Sequence, residues 1–261
     1  MNRSSTTAAA GLAAAGILAG GWLLTGPPAA AADGPGPSAR DRVLWGAVTI
    51  PPGREGVIQV AGPTATSAGA GATLTLTAPA GTRVTGLPLG AAGYTATLAA
   101  DGRHAAYTAT GPAARPPGPA GTFPFVLAMP VDAVPGTRLS GCTLRLTDAR
   151  GVLRASGGCQ VTVGLAEPTL TRPEPGVPLD AWPEIGGTAH PGAQITVLDQ
   201  EDAEVCTATA EADGRWSCVP GPALPPGGNR LQAVATLNGV SATSEQIQIT
   251  VTGAPTPAPA R

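Results

Sequence analysis

The chain has 261 residues and a formal net charge of −2, and its 15 cationic side chains are all arginine. Glycine and proline, at 37 and 29 residues, make up about a quarter of the chain, which excludes a coiled coil or another long-helix protein because both residues destabilise helices. Glycine shows no three-residue period, which excludes collagen. The weak negative charge and the lack of a basic, aromatic-lined stretch exclude nucleic acid as a partner.

Residues 1–32 are typical of an export signal. Arg3 lies in a short polar N-terminal segment, an apolar run extends from Ala8 to Leu24, and Ala30, Ala31 and Ala32 directly precede Asp33. Small residues at this position predict cleavage after Ala32. An uncleaved membrane anchor is the alternative, although the apolar run is slightly short for a membrane span. We therefore expect a secreted or extracellular protein, free or associated with the cell wall, with no membrane contact after cleavage.

The four cysteines form two close pairs in the sequence. An even number of cysteines in an exported protein favours disulfides. Cys142 and Cys159 flank the turn-like segment DARG, and Cys206 and Cys218 flank EADG, so each pair is expected to lie opposite on a hairpin. We predict the disulfides Cys142–Cys159 and Cys206–Cys218. A zinc site or a set of reactive thiols is the alternative, but neither pair has C-x-x-C spacing and histidines are almost absent.

A proline-rich segment, residues 164–183, predicts a linker between two domains at 33–163 and 184–252. Residues 253–261 predict a disordered Pro/Ala tail. Both domains show the period-two alternation of half-buried antiparallel strands. The predicted fold class is all-β: two tandem Ig-like β-sandwich domains joined by a Pro-rich linker, after an N-terminal signal peptide.

Individual segments carry this strand pattern. Residues 73–77 read TLTLT, which places both leucines on one face. Asn238-Gly239, after an alternating run, is a strong hairpin signal. Trp216 and Cys218 fall on one face of a strand, so the indole ring is expected to cover the second disulfide in the core.

An internal similarity links the two domains. Residues 94–104 read YTATLAADGRH and residues 206–216 read CTATAEADGRW. The shared T-A-T and A-D-G-R at identical spacing predict the same hairpin in both domains.

Residues 184–252 resemble a bacterial Ig-like domain. The motifs that carry the resemblance are EIGGTAHPGAQITVLD, the hairpin CTATAEADGRWSC, LPPGGNRLQAVAT and the closing IQITV. The resemblance implies an all-β sandwich used as a stalk or adhesion module in exported bacterial proteins, with no catalytic residues.

The first domain resembles the conserved-repeat, Ig-like domains of secreted actinobacterial surface proteins. The carriers are LTLTAPAGTRVTGLP and FPFVLAMPVDAVPGT. Where such domains often place a cysteine pair, this chain has Tyr94 and Tyr107 nearby, and its own cysteines come later. The exclusive use of arginine, with abundant Ala, Gly and Pro, is typical of a very GC-rich genome, so we expect an actinobacterial source.

Catalytic chemistry has few candidates in this sequence. The two histidines are His104, which follows an Asp-Gly turn, and His190, which precedes Pro-Gly, and both are interpreted as ordinary surface or strand residues. No G-x-S-x-G, H-E-x-x-H or phosphate-binding glycine loop occurs. The prediction is that the protein is not an enzyme and needs no cofactor.

Two weaker binding hypotheses remain. Asp199, Glu201, Asp202 and Glu204 form an acidic cluster that could hold calcium, although it lacks the spacing of an EF-hand and a solvated hairpin tip is the favoured interpretation. The tryptophans Trp45 and Trp182 are candidate ligand-facing aromatics.

The function predicted from sequence is that of a secreted, non-enzymatic structural or adhesion module at the bacterial cell surface. The alternative is a carbohydrate- or cell-wall-polymer-binding protein with a shallow site near the two tryptophans. In either case the partner is an unidentified surface or extracellular protein, or a wall polymer.

Overall fold

The computed structural model describes residues 43–62, 68–88 and 93–252. Within these ranges the secondary structure consists of eighteen β-strands and one 3₁₀ turn, Pro119–Gly121. The predicted all-β fold class is confirmed. The predicted signal peptide, residues 1–32, and the predicted tail, residues 253–261, lie outside the described residues.

The first sandwich contains ten strands: β1 (Val43–Ile50), β2 (Glu55–Val60), β3 (Thr73–Thr77), β4 (Arg83–Gly86), β5 (Tyr94–Leu98), β6 (His104–Ala109), β7 (Phe123–Ala128), β8 (Arg138–Leu139), β9 (Thr143–Thr147) and β10 (Leu153–Val163). The larger sheet has the order β1-β10-β9-β3-β6-β5, with β8 also paired to β10. The smaller sheet has the order β2-β7-β4. Strand β1 runs parallel to β10, and the other pairs are antiparallel.

Strand β3 shows how sequence alternation becomes a core. Successive side chains of a strand point to opposite faces, so Leu74 and Leu76 both face the interior and are buried. The threonines between them face outwards and are partly exposed. Burying one leucine side chain contributes about 1.5–3 kcal/mol.

Four aromatic rings fill the interior of the first sandwich. Tyr94, Tyr107, Phe123 and Phe125 are buried and contact one another with ring centroids 5.1–6.3 Å apart. The Tyr107 hydroxyl lies 2.7 Å from the carbonyl oxygen of Pro124. Burial raises the pKa of Tyr107, so the phenol stays protonated and donates to that carbonyl.

Strands β9 and β10 form the predicted hairpin around the DARG turn. Thr143 pairs with Gly158, which places the next two residues, Cys142 and Cys159, opposite each other. The disulfide Cys142–Cys159 is present, with Cα atoms 5.2 Å apart. The prediction of this pairing is confirmed.

Asp148 holds the turn of this hairpin. Its Oδ1 accepts the backbone N–H groups of Arg150 and Val152 at 2.9 and 3.0 Å. Its Oδ2 accepts two hydrogen bonds from the Arg154 guanidinium, at 2.6 and 3.0 Å. The N–H of Val152 is the largest cause that lowers the pKa of Asp148, and Arg154 and the N–H of Arg150 lower it further.

The second sandwich contains eight strands: β11 (Pro178–Leu179), β12 (Ile185–Thr188), β13 (Gln194–Leu198), β14 (Glu204–Thr209), β15 (Arg215–Cys218), β16 (Gly227–Leu237), β17 (Val240–Thr243) and β18 (Ile247–Val251). The larger sheet has the order β11-β18-β16-β13-β14, with β17 also paired to β16. Strands β12 and β15 form the second sheet. Two sheets around one core, antiparallel apart from the pair β11–β18, make the domain Ig-like.

The predicted hairpin at Asn238-Gly239 is present between β16 and β17. Asn238 and Gly239 have φ values of 50° and 79°, the left-handed conformation that a two-residue hairpin turn requires at both positions.

The disulfide Cys206–Cys218 is present, with Cα atoms 6.0 Å apart, so its predicted pairing is also confirmed. The expected hairpin is wrong, however. Cys206 lies on β14, which pairs with β13, whereas Cys218 lies on β15, which pairs with β12. The disulfide therefore joins the two sheets across the core, where Trp216 is buried in the same cluster as both cysteines.

The repeated A-D-G-R motif encodes a turn rather than a whole hairpin. In both copies the glycine N–H donates to the carbonyl three residues earlier, and the arginine N–H donates to the aspartate Oδ1 at 2.8–2.9 Å. After the first turn the chain returns along the same sheet, because β5 pairs with β6. After the second turn it crosses to the other sheet. Local sequence fixes the turn, and the neighbouring strands fix where the chain goes next.

Residues 164–183, expected to be a linker, contribute to the second sandwich. Leu165 is buried in its core. Thr169 and Thr171 donate backbone hydrogen bonds to the carbonyls of Thr188 and Gly186 on β12, and β11 pairs in parallel with β18. The prolines in this segment do not prevent this pairing, since the residues between prolines keep their N–H donors.

Removing the second disulfide tests the staple between sheets. The variant Cys206→Ala/Cys218→Ala is expected to lose about 3 kcal/mol of unfolding free energy, because the disulfide closes a short loop in the unfolded chain. Guanidinium unfolding of the second sandwich, followed by fluorescence of the buried Trp216, measures the loss. Cys142→Ala/Cys159→Ala is the matched control, since it removes the staple of the first sandwich and should leave that transition in place. An unchanged midpoint in the first variant contradicts the staple.

Asp148 predicts a specific pH dependence of stability. Its pKa is lower in the folded chain than in the unfolded chain, so the stabilisation is complete above pH about 4 and is lost as the pH falls below it. Unfolding midpoints between pH 2 and 6 should therefore fall less steeply for Asp148→Asn than for the unmodified chain. Asp132→Asn, at an exposed turn, is the control and should keep the original slope. Equal slopes for all three proteins would contradict the role of Asp148.

Candidate functional site

One glycine separates the two hydrophobic cores. Val163, the last residue of β10, is buried in the first core, and Leu165 is buried in the second. Gly164 between them donates its N–H to the carbonyl oxygen of Ile50 at 2.8 Å. A Cβ at this position would lie 3.1–3.3 Å from atoms of Ile50 and its two chain neighbours. The glycine is therefore packed against the end of β1, and the two sandwiches have no free segment between them.

A second contact joins the sandwiches at the Asn238-Gly239 turn. The Asn238 side-chain amide donates a hydrogen bond of 3.0 Å to the carbonyl oxygen of Pro135. Gly136 has a φ of +84°, and a Cβ there would lie 2.5 and 2.6 Å from the carbonyl oxygen and Cβ of Asn238. We call Gly164, Pro135, Gly136 and Asn238 the junction residues.

The sequence patterns do not predict the junction. Gly164 and Gly136 look like ordinary turn glycines in this glycine-rich chain, and the Asn238-Gly239 pair indicates a hairpin alone. The available signal was the run VGL at 163–165, because a single glycine between two strand-type apolar residues leaves no room for a flexible connection.

A groove beside the junction is lined by both sandwiches. Its charged residues are Arg54 and Glu55 from the first sandwich and Glu167 and Glu245 from the second. Within the described residues none of the four forms an ion pair. The one hydroxyl side chain of the groove, Thr169, is hydrogen-bonded to Thr188 and to none of these charged groups.

Trp45 lies on β1 at the edge of the larger sheet of the first sandwich. Its backbone N–H and carbonyl exchange hydrogen bonds with Ala61 at 3.0 and 2.9 Å. The side chain is 60% exposed on the outer face of the sheet. Its nearest backbone partner on the other side is Gly158 of β10.

Trp182 lies in the second sandwich, between β11 and β12. Its N–H donates to Oδ1 of Asp180 at 2.9 Å, and its side chain is 57% exposed. The aromatic pairs among the described residues are confined to the buried core of the first sandwich. The structure therefore exposes both candidate tryptophans but does not bring them together.

The acidic cluster is a turn between β13 and β14. Asp199 Oδ1 accepts the N–H groups of Glu201 and Ala203 at 2.8 and 2.9 Å. Asp202 has a φ of 61°, as a turn residue with a short polar side chain can adopt. Glu204 begins β14. The Asp199 carboxylate is thus occupied in shaping the turn.

Each histidine contacts a residue of its own turn. His104 Nδ1 lies 2.7 Å from Asp101 Oδ2, with both side chains about half exposed at a hairpin turn. The N–H of Arg103 is the largest cause that lowers the pKa of Asp101, followed by His104. His190 Nδ1 lies 2.9 Å from the carbonyl oxygen of Pro191. No serine or cysteine hydroxyl or thiol is hydrogen-bonded to either ring among the described residues.

The described part of the chain contains neither a cluster of metal-ligating side chains nor a helix that could span a membrane. Across 43–62, 68–88 and 93–252, no three or more His, Cys, Asp or Glu side chains converge as a metal site would require. In the same ranges no helix is long and apolar enough to cross a membrane.

Comparisons with known proteins give structural likeness alone. No protein-family model matches the chain, and no curated protein matches it. Similar solved structures include a biofilm-associated protein BSP domain (16% identity, TM-score 0.28, 82% of this chain and 30% of that one). The major pilin subunit BcpA of Bacillus cereus is similar at 12% identity and a TM-score of 0.31, over 80% of this chain and 66% of that one. Murine CEACAM1b is similar at 13% identity and a TM-score of 0.29, over 80% and 98%.

The chain spans 30% and 66% of the first two of these proteins. At such identities and TM-scores the similarities carry no argument about function. The assignment of the Ig-like fold follows from the strand order of the chain itself.

The junction residues make a testable prediction. Gly136→Ala is expected to destabilise the chain by about 1–3 kcal/mol more than Gly81→Ala, because the new methyl group would press on Asn238. Gly81 is the matched control: it has the same φ of +84°, and a Cβ there meets nothing within 4 Å. Calorimetry should show this difference as a larger fall in the melting midpoint for Gly136→Ala than for Gly81→Ala. Equal melting profiles for the two variants would contradict the contact.

Proposed function

We propose that this chain is an exported, non-enzymatic structural or adhesion module of a bacterial cell surface. The observation that carries the proposal is the junction, where Val163 and Leu165 are buried in different cores with Gly164 alone between them. A spacer or adhesin must hold its ends at a fixed geometry, and a one-residue connection removes the freedom that a flexible linker would give. Each of the two sandwiches so joined also carries its own disulfide.

The disulfides support an extracellular location. Both pairs use all four cysteines of the chain, and such bonds persist in oxidising compartments but are rare in reducing ones. The proposal includes the export signal at residues 1–32, a first domain at 33–163, a second domain that takes in residues 164–183 as well as 184–252, and membership of the second domain in the bacterial Ig-like class. An actinobacterial source is part of the same proposal and rests on composition.

The arrangement of polar groups supports a non-enzymatic role. The described histidines and acidic clusters are exposed and engaged in turns, and the groove beside the junction pairs no base with a nucleophile. Catalysis requires such groups to be held within hydrogen-bond reach of one another. The proposed partner is a surface or extracellular protein or a wall polymer.

Export and surface exposure are tested by expressing the full chain, with an epitope after Arg261, in a GC-rich Gram-positive host. We expect a mature N-terminus at Asp33, both disulfides by non-reducing peptide mapping, and epitope accessible to protease on intact cells. A chain that lacks residues 1–32 is the control and should stay inside the cell. The proposal would be overturned if the full chain, like the control, stayed inside the cell with its cysteines reduced.

Wall association is measured separately by sedimenting the mature chain with purified sacculi, with calcium or with EDTA. Retention in both conditions supports a wall partner that needs no metal. Retention with calcium alone directs attention to the Asp199 to Glu204 turn. A chain that stays in the supernatant in both conditions excludes the wall polymer and leaves a protein partner.

A further inference from the structure

Three neighbouring strands bring five side-chain positions together around Trp45. The strand pairing places Trp45 of β1 beside Gly158 of β10, and Gly158 beside Thr143 of β9. Ser156 and Gln160 lie two residues to either side of Gly158 and therefore point to the same outer face. All five positions are exposed. We call Trp45, Thr143, Ser156, Gly158 and Gln160 the Trp45 platform.

Because Gly158 has no side chain, the sheet surface beside the indole ring is unoccupied. A Cβ at this position would meet one atom within 4 Å, the carbonyl oxygen of Cys142 at 3.5 Å. The Trp45 ring therefore does not cover the glycine, and space remains next to it. The preceding Gly157 is required by the backbone, because a Cβ there would collide with Leu44. Gly158 has neither that collision nor a positive φ, so the backbone does not explain its missing side chain.

The platform belongs to a wide sheet whose strands carry no carboxylate, although the Asp101 carboxylate of a neighbouring turn contacts His104 at 2.7 Å. Strands β1, β10, β9, β3, β6 and β5 contain no Asp or Glu. The row that starts at Trp45 continues through Gly158 and Thr143 to Thr77 and His104, which spans about 19 Å at the usual spacing of strands. Hydroxyl groups dominate this face: Thr73, Thr75, Thr77, Thr95, Thr97, Thr108, Thr143 and Thr147.

This combination of groups matches the chemistry of a sugar chain. A pyranose ring has a face of C–H groups that stacks on an indole ring, and a rim of hydroxyl groups that both donate and accept hydrogen bonds. Thr143 and Ser156 offer hydroxyls, and Gln160 offers an amide, and each of these groups can donate and accept. The row is long enough for a short stretch of an extended polysaccharide to lie across the sheet.

Charge decides between kinds of polymer. An acidic polymer is usually held by clustered cations. Beside the platform the face offers two arginines: Arg145, which is opposite Ser156, and Arg154, whose guanidinium is already paired with Asp148. A protein partner of standard interface size would need about 800 Å² with an apolar centre, whereas here one large ring lies among hydroxyls. An uncharged polymer satisfies the surface without leaving a charge unpaired.

From these observations we infer that the Trp45 platform binds an uncharged polysaccharide, with the sugar ring stacked on Trp45 above Gly158. The inference rests on the proposed function, because it names the class of partner for that surface module. Export and surface exposure are measured without any polysaccharide, so failure of one proposal is distinguishable from failure of the other.

Affinity electrophoresis of the purified chain tests the inference with three polymers: hydroxyethylcellulose, mannan and the acidic polygalacturonate. We expect at least one of the two uncharged polymers to retard the chain. The retardation should be the same in about 0.5 M salt, because salt at that concentration screens charge–charge attraction and an uncharged polymer offers none. Trp45→Ala and Gly158→Val should each weaken that binding at least about tenfold. The first removes the stacking ring, and the second places a side chain in the space that the sugar would occupy. Trp182→Ala is the matched control, since it removes a tryptophan of equal exposure elsewhere, and should bind normally.

Gly158→Val also separates binding from folding. Valine favours strands, and its Cβ has room at this position, so the unfolding midpoint of the variant should equal or exceed that of the unmodified chain. Three results would overturn the inference: no retardation by either uncharged polymer, retardation by polygalacturonate alone that disappears in salt, or binding that survives both platform variants.

Discussion

The structure depends on one constraint: a single residue, Gly164, separates the two hydrophobic cores along the chain. Val163 belongs to one core and Leu165 to the other, and the hydrogen bond from Gly164 to Ile50 holds the crossing point against β1. A chain that enters the second core at once must begin pairing at once. The segment after Leu165 therefore lies along β12, and further on it adds strand β11 to the sheet of the second sandwich. The Asn238 turn then supplies a second point of contact, so the two sandwiches meet at more than one place.

Aspartate side chains stabilise several of the turns by accepting backbone hydrogen bonds. Five aspartates accept the backbone N–H of the residue two positions later, at 2.8–2.9 Å: Asp101, Asp148, Asp180, Asp199 and Asp213. A carboxylate used in this way satisfies backbone donors that a sharp turn would otherwise leave without partners. The same use explains why acidic residues that look clustered in the sequence do not converge on a common point. Their oxygens are directed towards their own turns, so the sequence cluster at Asp199 has a structural explanation.

For the two disulfides, the local sequence predicts which cysteines pair but not which sheets they join. Both pairings follow from short sequence separations, and both are present. The first closes a hairpin as expected, because β9 and β10 pair directly. The second joins different sheets, because β15 finds its partner in β12 and not in β14. The identical A-D-G-R turn in the two domains sends the chain along one sheet in the first case and across the core in the second. The hydrogen bonds of a turn involve four or five residues, whereas the choice of sheet involves strands far away in sequence.

The sequence by itself determined the all-β class, the alternation of β3, the Asn238-Gly239 hairpin, the pairing of the cysteines and the burial of Trp216. Each of these depends on residues that are close in the chain or on the two-residue period of a strand. Only the tertiary structure decided that residues 164–183 belong to the second sandwich, that Gly136 and Asn238 meet, and that Trp45 lies beside the bare surface of Gly158 and apart from Trp182. These features depend on which strands become neighbours, and that choice is made by burying apolar faces contributed by segments as distant as β1 and β10.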